Sequence, residues 1–526
     1  LANWEDADGN TPAGSLPDAA SEVFLEASVT SSSVEISVKK MTIEASGEFH
    51  VAATVDSLVC HGAVGRSSIC DGVYGSVTVT VDCEFDGGTL EGEVTATGLA
   101  ATFINGGNVT AAGVVNGNAV FDGMPGTDNW GVVTGNGTFL TASTNYGTVE
   151  GDGIFGTAGG DDYANNVGTV EGNAIFRGHA FNVGTVDGNA EFEDDATNSD
   201  ATGYPAVVGG NAEFSDRAKN LGDGSVNGNA TFNDDSENIG TVNGNATFNG
   251  LSINTTDGFI SGNATFNGTA FDGTRNEGQV EGDATFNGES YNAGGYVGGN
   301  ATFNDTSQNI YFAGGWNSQG YVEGDATFNE SSVNDATVQG FGTFNGDSSM
   351  LSGEVQGGAE FNGNSFNNMG SVGIAGSGVG DATFNDDSKN KSLGRVEGTA
   401  TFNDNSENDG GIVYGDATFN NDAINKQGNV YGDATFNNNS SNATASAVFE
   451  NAVFNNDATN YGDIEGNAEF NGGSTNEASG TVSENATFNG TSRNIGSVVG
   501  TATFNDGSCN SGTAGTFIPD PPNPCN

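Results

Sequence analysis

The 526-residue chain is poor in cations, with 12 Lys+Arg against 68 Asp+Glu and a formal net charge of −56. A surface so acidic repels phosphate backbones and anionic lipid, which argues against nucleic acid or a membrane surface as partner. Long apolar runs are also missing. No stretch approaches the roughly 20 residues that a transmembrane helix needs, so no membrane insertion is expected. The opening residues carry no basic-plus-apolar leader. The chain begins at Leu1 rather than Met, so a removed leader stays open. Histidine occurs only at His50, His61 and His179, and no Gly-x-Ser-x-Gly elbow stands between a strand and a helix. No nucleophilic triad is legible, and no catalytic residue is assigned.

Cysteine is confined to the two ends, at Cys60, Cys70, Cys83, Cys509 and Cys525. Cys60 with Cys70 and Cys509 with Cys525 could each close a short loop, leaving Cys83 over; five free thiols is the other reading. Paired, they would staple end caps in an oxidising compartment. The 8 prolines gather partly in Phe517-Ile518-Pro519-Asp520-Pro521-Pro522-Asn523-Pro524-Cys525, a stretch that cannot extend a strand ladder.

What the chain has in quantity is glycine, 85 residues, and one short repeat. Every second residue from Phe232 to Phe248 is small or apolar apart from Asp234, which falls in a corner. The alternate register is polar except for Ile239. Alternation of period two predicts half-buried strands, and its recurrence predicts a stacked array. Phenylalanines recur from Phe85 to Phe504 mostly at intervals of 16 to 18 residues, with Ala, less often Gly, two before, Val or Ile six before in most copies and commonly Asn six after. Insertions are expected between that Asn and the next Gly-x-Val. Two strands and two corners per coil then stack like on like at about 4.8 Å. The structural ladder is assigned to Phe232, Phe248, Phe266, Phe286, Phe303, Val242 and Asn238, the inward Asn satisfying one another's amides along the stack.

The expected fold is therefore all-β: a single long β-solenoid of about 16–18 residues per coil, with a β cap or assembly region over 1–84, the repeat array over 85–510 and a Pro-rich cap over 511–526. Stacking twenty-odd coils would give a rod on the order of 100 Å long.

Candidate contacts lie in loops. Ile310 to Trp316 brings Tyr311, Phe312 and Trp316 together as an aromatic insertion, and Met124 to Trp130 adds Trp130. Exposed loop aromatics suit contact with a partner or a sugar, or fold back on the solenoid's own edge. Glu450 and Glu484 replace Gly at nominally inward positions, the one hint of a polysaccharide-cleaving carboxylate pair; a local bulge or a corner position explains them equally. No cofactor is assigned. Calcium stays open at corners such as Asn233-Asp234-Asp235 and Asn385-Asp386-Asp387, where hard oxygen ligands repeat, although such residues also serve turn hydrogen bonds. The outward Thr file (Thr247 and its copies) resembles an ice-binding face, with one Thr per coil and Glu191, Glu213, Glu360 or Glu469 interrupting it.

The repeat Gly-Asn-Ala-Thr-Phe-Asn-x-x-Ser-x-Asn-x-Gly-x-Val resembles the β-solenoid repeats of microbial surface proteins, fibres and adhesins, and of phage appendages. The opening Asn3-Trp4, Leu16-Pro17-Asp18 and Val23-Phe24-Leu25 resemble the start of secreted β-helix passenger regions. The resemblance is architectural and transfers no catalytic residue. It implies a non-enzymatic extracellular protein, at a cell surface or on a virion, that forms or decorates a fibre by self-association and meets a glycan or a cell-surface receptor. Two alternatives remain: a polysaccharide-binding or -degrading phage spike, and an ice-binding protein.

Overall fold

The Gly-x-Val, Ala-Thr-Phe and Asn segments of most repeats form three separate short strands. In one coil these are Thr241–Val242, Ala246–Gly250 and Ile253–Asn254. The structure, a computed structural model, describes residues 22–25, 36–43, 53–61, 76–87, 89–123, 126–161, 163–199, 205–269, 273–311, 320–519 and 523–525. The described residues are strands, turns and bends without helix, arranged as parallel stacked coils of a β-solenoid of about 23 turns. They divide into two units, Leu1–Gly262 and Asn263–Asn526.

Three strands per coil correct the expected two. The extra bend falls at Asn243-Gly244-Asn245, where a Cβ on Gly244 would stand 2.4 Å from the Gly228 carbonyl oxygen. At Gly244 the missing side chain lets one coil turn that close above another. The residue four before each Phe is thus a corner residue, and Glu450 and Glu484, which occupy it, are exposed rather than inward. Insertions are also not confined to one corner. They follow the Phe strand at 156–164 and the Val strand at 373–381, as well as the Asn strand at 200–205.

In the first unit, Glu22–Leu25, Ile36–Ile43, Ala53–His61 and Ser76–Asp86 pair in parallel succession. The last of these continues through Glu93–Ile104 to Val114–Asp122, where the Val and Phe strands run as one, with shifts in register in place of the Gly corner. Downstream the rungs are regular. Val226 pairs with Val242, Phe232 with Phe248, and Asn220 with Asn238. The Phe232 and Phe248 rings stack at 4.8 Å, tilted by 7°.

The second unit repeats this geometry, with ring centroids 4.8 Å apart for Phe266–Phe286 and 4.7 Å for Phe286–Phe303. Its last coil carries Thr513–Ile518, whose Phe517 leans on Phe504 at 6.3 Å and 32°. A Cys509–Cys525 disulfide ties the following residues back to that coil, and the Asn510 N–H donates to the Asn523 carbonyl at 2.8 Å.

Candidate functional site

The core supplies the frame on which any site must be built. Val242, Phe232 and Phe248 are fully buried, and so is Asn238. Asn238 Nδ2 donates to Asn254 Oδ1 at 2.8 Å, and its own Oδ1 accepts from Asn220 Nδ2 at 2.9 Å. An inner amide so placed acts as donor and acceptor at once, which is what a buried polar group requires; Met350 interrupts the column and leaves Asn334 Nδ2 and Asn367 Oδ1 without a partner. A second ladder follows the Phe column: Asn249 Nδ2 donates back to Asn233 Oδ1, and Asn304 Nδ2 to Asn287 Oδ1. Its donors point toward lower-numbered coils, opposite to the inner ladder. A third column, at the Gly-Asn-Ala corner, is joined through an oxygen: Asn229 Oδ1 accepts the Asn245 N–H and Asp283 Oδ1 the Asn300 N–H, while Asn451, Asn467 and Asn485 also donate an amide N–H to the coil before.

The residues singled out from the sequence fall at separate places. Trp130, 51 % exposed, directly follows the Asp128–Asn129 strand, and it stacks on Tyr146 at 3.9 Å. Tyr311 follows Gln308–Ile310 with its ring exposed. Phe312 and Trp316 lie outside the described residues, as does Cys70. Cys83 is buried. The corner Asp234 and Asp386 take left-handed backbone conformations, φ 56° and 58°. Among the described residues no group of three or more His, Cys, Asp or Glu gathers closely enough to hold a metal. His50 lies outside the described residues, and His179 Nε2 stands 3.9 Å from Asp195 Oδ2.

The second unit contains a cleft that sequence reasoning missed. The 373–381 insertion overhangs a cavity of about 630 Å³ lined by Ala375, Gly376, Gly378, Arg395, Glu397, Gly398, Thr399, Tyr414, Gly415 and Asp416. The loop is tightly pinched at its base. A Cβ on Gly373 would stand 2.0 Å from the Val379 carbonyl oxygen, and both Gly373 and Gly380 have positive φ, 90° and 113°. Glu397, buried at 5 % exposure, accepts the Gly376 N–H through Oε2 at 2.9 Å and so ties the loop to the solenoid. Arg395 Nη2 donates to the Tyr414 hydroxyl at 2.8 Å, and its guanidinium lies 5.5 Å from the centre of that ring. Tyr414 stacks on Tyr431 at 5.4 Å and Tyr431 on Phe449 at 4.5 Å, a row leading away from the cleft. Asp416 Oδ1 accepts the Asp433 N–H. A signal was available: three successive repeats read Val413-Tyr414, Val430-Tyr431 and Val448-Phe449, and the repeat before them reads Arg395-Val396-Glu397.

Two perturbed groups lie on the same unit. Burial pushes the Glu407 carboxyl up, but hydrogen bonds and charge from Lys389 (2.9 Å) and Lys426 (3.3 Å) outweigh it, and the group sits below the usual Glu range. The Tyr296 hydroxyl, hydrogen-bonded to the Glu323 carboxylate, is pushed up to about 12. Among the described residues no helix is long and apolar enough to cross a membrane. Compared with protein-family models, with curated proteins and with solved structures, the chain matches none.

Proposed function

We propose that the chain is a non-enzymatic structural protein, an extracellular β-solenoid that forms or decorates a fibre through self-association, at a cell surface or on a virion. The observation that carries this reading is the repetition of one rung in register, with a Phe column and long runs of Asn and corner-oxygen bonds passing from coil to coil. A chain that devotes nearly every inward position to stacking builds a stiff element, and its parallel strands can be extended by further copies. The Cys509–Cys525 disulfide supports an oxidising compartment. The excess of acids, −56 in all, keeps copies apart at low ionic strength, so association should strengthen as salt or divalent cations screen it.

Negative-stain electron microscopy with sedimentation velocity across an ionic-strength series tests the proposal. Filaments, bundles or defined oligomers at high ionic strength support it. Dispersed single copies at every ionic strength and protein concentration overturn it.

A further inference from the structure

We propose that the cleft beneath the 373–381 loop binds a segment of a neutral polysaccharide. This goes beyond the fibre reading and does not depend on it, since the cleft is complete within the Asn263–Asn526 unit of one copy.

The wall chemistry selects the ligand. Two carboxylates, Glu397 and Asp416, face one guanidinium, Arg395, so an anionic ligand meets net repulsion in a molecule already strongly negative. An apolar ligand would strip water from these charged groups with nothing to replace it. A neutral ligand rich in hydroxyls fits both kinds of group, donating to carboxylate oxygens and accepting from the guanidinium. Each carboxylate has one oxygen engaged by a backbone N–H, Gly376 for Glu397 and Asp433 for Asp416. Among the described residues the other oxygen of each has no protein donor. Arg395 is held by the Tyr414 hydroxyl, and among the described residues its guanidinium has no carboxylate partner.

The row beyond the cleft favours a polymer over a free sugar. Tyr414, Tyr431 and Phe449 present one ring edge per coil. That gives repeated contacts at rung spacing to a ligand that itself repeats along its length. Aromatic rings with a polar tip are suited to such half-wet contacts. The loop is an insertion that the solenoid does not need, since neighbouring coils pass from Val to Phe strand without it.

Affinity electrophoresis tests this, using gels cast with yeast mannan, galactomannan, laminarin or hydroxyethylcellulose, and with alginate as an acidic counterpart. The protein should be retarded by at least one neutral polymer. Tyr414→Ala and Arg395→Ala should each weaken that retardation about tenfold or more. Tyr163→Ala, an exposed aromatic on the Leu1–Gly262 unit, should leave it unchanged. Circular dichroism guards against misfolding, and the milder Glu397→Gln should also weaken binding while keeping the loop's hydrogen bond. Free passage through every neutral gel, retardation by alginate alone, or retardation that the Tyr414 and Arg395 variants share with the parent overturns the proposal. Filament formation by a non-binding protein would overturn the cleft and leave the fibre reading standing.

Discussion

At the scale of the residue, three columns of similar side chains obey different rules because their hydrogen-bonding duties differ. Asn238 must donate and accept in a dry core, so aspartate there would bury a charge and break one bond of the ladder. Asn229 offers only an oxygen to the Asn245 N–H at an exposed corner, and aspartate offers the same oxygen. Asn238→Asp is therefore expected to cost about 3–5 kcal/mol, whereas Asn229→Asp should stay within about 0.5 kcal/mol. Paired chemical denaturation curves check this, and equal losses would refute the distinction. The natural chain has already made the second exchange, with Asp152, Asp283, Asp325 and Asp416 standing in that column. Glu407 supplies a further test. Its carboxyl is held below the ordinary 4.5 by Lys389 and Lys426 despite burial. The stabilisation it gives is present above that ordinary value and disappears as pH falls through the depressed one. Carboxyl NMR should show Glu407 titrating low in the parent and moving upward in Lys389→Met; an unmoved midpoint would remove the lysine from the account.

At the scale of the element, most strands of the regular coils are two or three residues long, too short to persist alone, and survive by pairing with the coils on either side. Phe232 stacks between Phe214 and Phe248 at 4.8 Å on each side. Phe232→Ala should cost about 3–5 kcal/mol, because the rungs above and below hold the gap open. Hydrogen exchange should locate the loosening in adjacent coils, and loss of protection along the whole chain instead would contradict a local defect. The Phe, Val and Asn columns could be read from the sequence because each has one inward residue per coil at a nearly constant offset. The third strand could not. Asn243-Gly244-Asn245 continues the outward-inward-outward alternation straight through its corner, so a real bend looks like more strand. The cleft was hidden for another reason. Arg395, Glu397, Tyr414 and Asp416 come from two successive coils and the roof from an insertion, so their nearness appears only once the rungs are laid over one another.

At the scale of the whole molecule, 68 acids share a surface with 12 bases. Their mutual repulsion opposes folding and is screened by salt. Raising ionic strength from about 0.01 M to about 0.15 M shortens the Debye length from about 30 to about 8 Å, and the melting temperature should rise across that interval. A flat or falling Tm would mean the acids are already neutralised by bound cations or spread too thinly to matter. The corner column bears on how so acidic a chain folds at all. Since the bond made there by Asn229 or Asp283 needs only an oxygen, amide and carboxylate can trade places in such coils without disturbing the stack. Charge can thus drift by up to one unit per coil, toward a milder or a saltier habitat, while every rung stays where it is.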